Sequence, residues 1–222
     1  MLRTDYSENK KALSQMCNRE FGVAGSDNEG GLVLALVGES GAGKSTLLSI
    51  MGAMNAPTSG RFVVDDIDIY NLKQEKQADF RREFLGFIFQ SFHLVPYLTV
   101  FENVMLPLTI IKKNKRQKRA MVENALSEVG LLDKADRLPN QISGGEKERV
   151  AIARAVVNEP PVLLADEPTG NLDTKTSTEI MKLLQRLNAD GMTIIMVTHS
   201  PDCANYSRRL LQVSDGKVVE DN

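Results

Sequence analysis

Long apolar runs are missing from this chain of 222 residues, and so is any excess of charge of one sign. No stretch approaches the ~18–20 consecutive apolar residues of a membrane-spanning helix, and no charged-then-apolar leader opens the chain. A soluble, cytosolic protein is therefore expected. Lys and Arg number 27 against 29 Asp and Glu, so the net charge of −2 gives little reason to hold an anionic polymer, and no nucleic acid is expected as a partner. Cysteine is scarce. Cys17 and Cys203 are the whole supply and lack metal-ligand spacing, which argues against a disulfide scaffold and a zinc site and predicts two free thiols. What remains is a chain long enough to bury a substantial core, as one large domain or one domain with an appended lobe.

The most informative stretch is Gly38-Glu39-Ser40-Gly41-Ala42-Gly43-Lys44-Ser45-Thr46. The apolar run Leu32 to Val37 precedes it and Leu47-Leu48-Ser49-Ile50-Met51 follows, so a buried strand feeds through a glycine-rich turn into a helix. Gly38, Gly43, Lys44 and Ser45 satisfy the phosphate-loop pattern. Small residues let backbone N–H groups close around a phosphate, and a helix N-terminus favours negative charge. Lys44 is then placed to reach the outer phosphate oxygens, and the Ser45 hydroxyl to ligate Mg²⁺.

The rest of the chain reads as strands alternating with helices. Residues 1 to 31 are predominantly polar, with a glycine-rich loop from Gly22 to Gly31, and predict irregular or edge-strand structure. Pro57-Thr58-Ser59-Gly60 breaks the helix after Lys44, and the segments 61–64 and 67–69 predict a hairpin around Asp65-Asp66. A helix is expected from Gln77 to Phe84, followed by a strand from Leu85 to Phe89 that delivers Gln90. From Ser91 to about Gln141 sheet strands disappear. Val122, Leu126 and Val129 form one helical stripe there, and the basic residues from Lys112 to Arg119 suit a solvated helix start.

Ser143-Gly144-Gly145-Glu146 opens the next helix with the spacing of a capping box. The same residues present a second helix N-terminus able to receive an anion. Val162 to Ala165 is an apolar strand ending in Asp166-Glu167. At the strand edge that carries a phosphate loop, Asp166 suits Mg²⁺ held through water, and Glu167 suits a water molecule to be activated. A helix follows Asp173, with Ile180, Leu183, Leu184 and Leu187 as its core stripe. The strand Thr193 to Thr198 then ends at His199, and Ser200-Pro201-Asp202 signals a new helix. Three apolar strands ending in candidate phosphate or metal contacts make His199 a candidate catalytic residue. Segment 209–219 predicts a hairpin turning at Asp215-Gly216.

Taken in order, Lys44, Gln90, Ser143, Asp166-Glu167 and His199 resemble the motif series of ABC-type ATPases, the nucleotide-binding subunits of ATP-binding cassette transporters. The resemblance covers residues 32 to 222. It implies an α/β fold: a RecA-like phosphate-loop core with a mostly parallel sheet, an antiparallel β edge and a helical lobe inserted at 91–142, all within one domain spanning 1–222. It further implies that ATP and Mg²⁺ bind and that two copies close head to tail around two ATP molecules. Each ATP would lie between the phosphate loop of one copy and Ser143, Gly144 and Gly145 of the other. Ser45 and Gln90 would ligate Mg²⁺, Glu167 would be the general base, His199 would contact the γ-phosphate, and Asp173 would lie at the seam. Separately encoded membrane permease subunits would take up the stroke, near Gln90 and the start of the lobe, placing the protein on the inner face of the cell membrane.

Within the family, the segments Phe89 to Pro96, Glu102 to Leu108 and Asp166 to Asp173 resemble the lipoprotein-releasing and macrolide-export branch. A cell-division cassette paired with an FtsX-type membrane protein is a close relative and stands as an alternative, as does a soluble ABC ATPase without a transport role. A phosphate-loop kinase would have no use for the later motifs. Two features depart from the family pattern. Glu146 stands where Gln is usual, which adds a negative charge near phosphate and is expected to weaken closure. The N-terminal region lacks the usual adenine-stacking aromatic, with Tyr6 the nearest substitute.

Overall fold

A computed structural model describes residues 33–64 and 66–221, with side-chain environments through residue 219. Tyr6, Cys17 and the Gly22 to Gly31 loop lie outside the described residues. The central sheet has six strands in the order β4-β5-β6-β1-β7-β8: β1 is Val33–Val37, β4 Leu85–Ile88, β5 Val162–Asp166, β6 Thr193–Thr198, β7 Arg209–Ser214 and β8 Lys217–Asp221. Every neighbouring pair is parallel except β7 and β8. A separate antiparallel pair, β2 (Val63–Val64) and β3 (Ile67–Asp68), is the hairpin expected around residues 65 and 66.

The strands read as unbroken apolar runs because both faces of the sheet are covered. Leu34, Leu36, Val162, Leu164, Ile195 and Val197 point to one face and pack with Leu48 and Met51 of helix α1 (Lys44–Met51). The alternate residues, Val33, Ala35, Leu163, Ala165, Ile194 and Met196, point to the other. There they join the buried faces of α5 (Gly144–Val156) and α6 (Thr174–Ala189). Helix α2 (Gln74–Phe84) precedes β4, and the four-residue α7 (Pro201–Ala204) follows β6.

Between β4 and β5 the chain leaves the sheet and builds α3 (Val100–Met105), α4 (Lys115–Glu128) and α5. Val100 and Val104 of α3 and Val122 and Leu126 of α4 are fully buried and belong to the same apolar cluster as the sheet face. The helical stripe read from the sequence is thus the face that docks α4 onto α3 and α5. The basic residues at its start are exposed apart from the half-buried Lys118. Asn114 caps α4 and Thr99 caps α3, each in a reciprocal capping box.

Two boundaries differ from expectation for local reasons. Helix α2 starts at Gln74 rather than Gln77, because its N-cap, Lys73, makes no side-chain cap and leaves no start signal. Strand β4 stops at Ile88 because the Phe89 carbonyl accepts the Phe92 N–H at 3.1 Å and turns the chain. Helix α1 ends at Met51, before Pro57 as expected, and Ala53 just beyond takes φ 52° while its N–H donates to the Ile50 carbonyl at 3.0 Å. Among the described residues no helix is long and apolar enough to cross a membrane.

Candidate nucleotide site

The carboxyl ends of β1, β4, β5 and β6 lie side by side, and each delivers a chemically active residue. The register pairs Val37 with Thr198 and Asp166 with Val197, so Gly38, Glu167 and His199 leave the sheet along one edge. In the loop after β1, a side chain at Gly38 would collide with the Val213 carbonyl of β7, so only glycine brings the loop this close. The β7–β8 turn supports the loop again, with the Gly216 N–H donating to the Ala42 carbonyl at 3.0 Å. Asp215 and Gly216 both have positive φ, the hairpin turn that the sequence signalled.

Lys44 is buried at 6% exposure, and its ammonium donates to the carbonyls of Gly38 and Glu39 at 2.8 Å each. A buried cation needs such partners, and phosphate oxygens would supply stronger ones. Beside it the Ser45 hydroxyl donates to Oδ1 of Asp166 at 3.0 Å. Burial pushes the Asp166 carboxyl up, with the Ser45 bond acting against it. A hydroxyl and a carboxylate in contact are hard oxygen donors that fit Mg²⁺. No group of three acidic, histidine or cysteine side chains able to hold a metal exists among the described residues. A cation here would therefore depend on phosphate and water for its remaining ligands, as Mg²⁺ commonly does.

Glu167, the residue after β5, adopts φ 49°. A non-glycine residue in the left-handed region is strained. The strain is held by two backbone bonds, Glu167 N–H to the Val197 carbonyl and Gly170 N–H to the Glu167 carbonyl, both 3.0 Å. It turns the carboxylate toward His199, whose Nδ1 lies 2.7 Å from Oε2. With Nδ1–H directed at Glu167, the largely exposed ring presents Nε2 outward. A cavity of about 540 Å³ opens beside this pair, lined in part by Thr169, Ser177, Ser200 and Cys203. Cys203 is buried and is the free thiol expected, in contact with the Thr169 hydroxyl at 3.0 Å.

Gln90 is exposed, and its carbonyl accepts a bond from Asn171 Nδ2 at 2.8 Å. Phe92 and His93 just beyond it have positive φ, and both carbonyls are gripped by the Arg154 guanidinium at 2.7 and 2.6 Å. Neither Asn171 nor Arg154 was singled out from the sequence as a support for Gln90. An Asn and an Arg carry no local signal of which distant carbonyl they will meet.

Ser143, Gly144 and Gly145 form a second constellation. Ser143 caps α5, and among the described residues no hydrogen bond joins these three to the phosphate loop. They lie instead against the segment after Glu167: Gly144 faces Leu172, and a side chain at Gly145 would collide with Thr176. Thr176 is bonded in turn to Asp173 through N–H at 3.0 Å and Oγ1 at 2.6 Å. The Glu146 carboxylate accepts the Ser143 N–H and the Lys134 ammonium. Those bonds, the Lys134 one foremost, hold it below the usual carboxylate range.

A cradled lysine, a Ser–Asp pair and a Glu–His pair on one edge of a parallel sheet define a phosphate-loop nucleotide hydrolase. The profile of the family described as ABC transporter matches residues 26–170. An uncharacterized ABC transporter ATP-binding protein of Bacillus subtilis, YvrO, is 48% identical over 193 residues, covering 87% of this chain and 84% of its own. The macrolide export ATP-binding/permease protein MacB of Rhodopirellula baltica is 46% identical over 197 residues, which cover 87% of this chain but 29% of that protein. Among solved structures, a dimeric post-hydrolysis state of the ATP-binding cassette MJ0796 bound to ADP and Pi matches with TM-score 0.79 and 40% identity, over 86% of this chain and 84% of that one. The chain belongs to the ABC transporter ATP-binding family, and it is an ATPase that fits the macrolide-export and lipoprotein-releasing branch.

Proposed function

We propose that two copies of this chain close head to tail around two ATP molecules and drive membrane-embedded permease subunits. One observation carries the reading. The hydrolytic groups cluster on one sheet edge, while the second anion-ready helix start, Ser143 to Gly145, has no hydrogen bond to them among the described residues. A second copy supplies what the site lacks, and the dimeric relative bound to ADP and Pi supports that arrangement.

In this mechanism Lys44 exchanges the carbonyls of Gly38 and Glu39 for ATP phosphate oxygens, and the N–H groups of the loop from Ser40 to Thr46 surround the phosphates. Ser45, Asp166 and Gln90 would hold Mg²⁺, which supplies charge neutralisation when bound. Glu167 orients water and takes its proton as the water oxygen attacks the γ-phosphorus. The bond to the β–γ bridging oxygen breaks, leaving ADP and phosphate. With both ring nitrogens protonated, His199 would hold the Glu167 carboxylate through Nδ1–H and donate Nε2–H to the γ-phosphate. Ser143, Gly144 and Gly145 of the opposing copy close on the same phosphate, with Asp173 at the seam.

The segment 91–142 acts as an inserted lobe of a single domain, and its surface near Gln90 transmits the stroke. Tyr97, seven residues beyond Gln90 and 78% exposed, supports a contact there with a membrane partner. Likeness to the macrolide-export proteins favours export or extraction of a lipoprotein, peptide or drug, with the protein peripheral at the inner membrane face.

Light scattering of the Glu167→Gln variant with and without ATP and Mg²⁺, beside an ATPase assay of the unaltered chain, tests the reading. The variant is expected to dimerise only with nucleotide, and the parent to hydrolyse ATP while remaining mostly monomeric. A parent that neither binds nor hydrolyses ATP would sink it.

A further inference from the structure

The sequence predicts that Glu146 puts an unwelcome charge on the phosphate-binding helix start. The structure places a cation against it. Lys134 sits at the end of a short 3₁₀ turn, Leu132–Lys134, and its ammonium contacts Oε1 of Glu146 while Oε2 accepts the Ser143 N–H at 2.8 Å. This lysine is not a swinging surface side chain on a loose loop. Its own N–H donates to the Leu131 carbonyl at 3.0 Å, and its carbonyl accepts the Arg137 N–H at 2.9 Å. The flanking residues are tied to α3, with Phe101 N–H on the Ala135 carbonyl and Val100 N–H on the Arg137 carbonyl, both 2.8 Å. The side chains are partly shielded, Lys134 at 37% exposure and Glu146 at 24%.

We propose that Lys134 is a positioning residue for the second phosphate-binding face. Its ammonium fixes and neutralises the Glu146 carboxylate, so the α5 N-terminus stays attractive to a triphosphate held by the opposing copy. Glu146 consumes the Ser143 N–H and its own N–H donates to the Ser143 hydroxyl oxygen, which leaves the hydroxyl proton and the N–H groups of Gly144 and Gly145 for the phosphate. Without Lys134, a bare carboxylate in that first turn opposes the incoming negative charge. The inference rests on the paired-cassette reading above.

The test uses the full chain carrying Glu167→Gln, and follows ATP-dependent dimerisation by sedimentation at low and high salt. Lys134→Ala is expected to raise the dimer dissociation constant about tenfold at low salt, from a roughly threefold effect at each of two symmetric sites. The loss should shrink at high salt. In a Glu146→Gln background the same lysine change should cost less than about twofold, because no charge remains to be neutralised. Fluorescent-nucleotide affinity of the dilute monomer should not move, which separates this role from a general loss of structure. An unaffected dimer, or an equal loss in both backgrounds, overturns the proposal. If the Glu167→Gln reference shows no ATP-dependent dimer at all, the paired-cassette reading fails and the inference falls with it.

Discussion

At the scale of single residues, the molecule places charge where burial makes it responsive. Glu148, on α5 one turn into the helix, is 1% exposed and has one carboxyl oxygen with no hydrogen-bond partner among the described residues. Burial pushes its pKa up to about 8, with the nearby Arg154 acting against the shift. A carboxyl raised in the folded state binds more protons there than in the unfolded chain. Stability is therefore full below the ordinary carboxylate range and falls as pH rises toward 8, by at most ~1.4 kcal/mol per pH unit. Glu148→Gln keeps the shape and removes the titration. Urea unfolding at several pH values should show the parent losing stability between about pH 5 and pH 8, and the variant staying nearly flat across that range. Equal slopes for the two proteins would show that Glu148 ionises freely. The strained φ of Glu167 belongs to the same scale, since two backbone bonds hold a conformation that the residue would not choose alone.

At the scale of elements, the start of α5 and the start of α6 are pressed together. The methyl of Thr176 occupies the space that a side chain on Gly145 would need, whereas Gly144 has only Leu172 at 3.8 Å from a built Cβ. Alanine is a better helix former than glycine by ~0.5–1 kcal/mol, so Gly144→Ala should be neutral or mildly stabilising. Gly145→Ala should instead destabilise by roughly 1–3 kcal/mol through overpacking. Thr176→Ser, which deletes the methyl but retains the hydroxyl bonded to Asp173, should recover most of that loss in the double variant, as measured by urea unfolding. If the serine change brings no recovery, the helices are not in direct contact through this methyl. The sequence marked both helix starts, because Ser143 and Asp173 are capping residues whose chemistry is local. It carried no sign that they touch, since they are thirty residues apart and no periodicity connects them.

At the scale of the whole molecule, nucleotide binding at the sheet edge should stabilise the chain in proportion to ligand excess. ATP with Mg²⁺ at about a hundred times its dissociation constant is worth ~2.7 kcal/mol, or a melting shift on the order of 5–10 °C for a protein of this size. Lys44→Ala should abolish most of that shift in a thermal-melt titration. A full shift in the variant would mean that the nucleotide binds elsewhere.

What the sequence by itself determined was governed by near neighbours. The strands were legible because a strand covered on both faces is dominated by apolar residues, as Val33 to Val37, Val162 to Ala165 and Ile194 to Val197 are. The phosphate loop, the helix caps and the Asp215-Gly216 turn were legible because each needs particular residue types at fixed short spacings. The ends of those strands named Lys44, Ser45, Asp166, Glu167 and His199, because a parallel sheet collects its strand ends on one edge. Only the tertiary structure decided the long-range partners: Gly216 beneath Ala42, Asn171 on the Gln90 carbonyl, Arg154 on the turn after it, and Lys134 against Glu146. Those contacts depend on how segments far apart in the sequence meet, at the β7–β8 turn as well as where the helices between β4 and β5 pack onto the sheet. Side chains that meet across such packing leave no pattern in either segment alone.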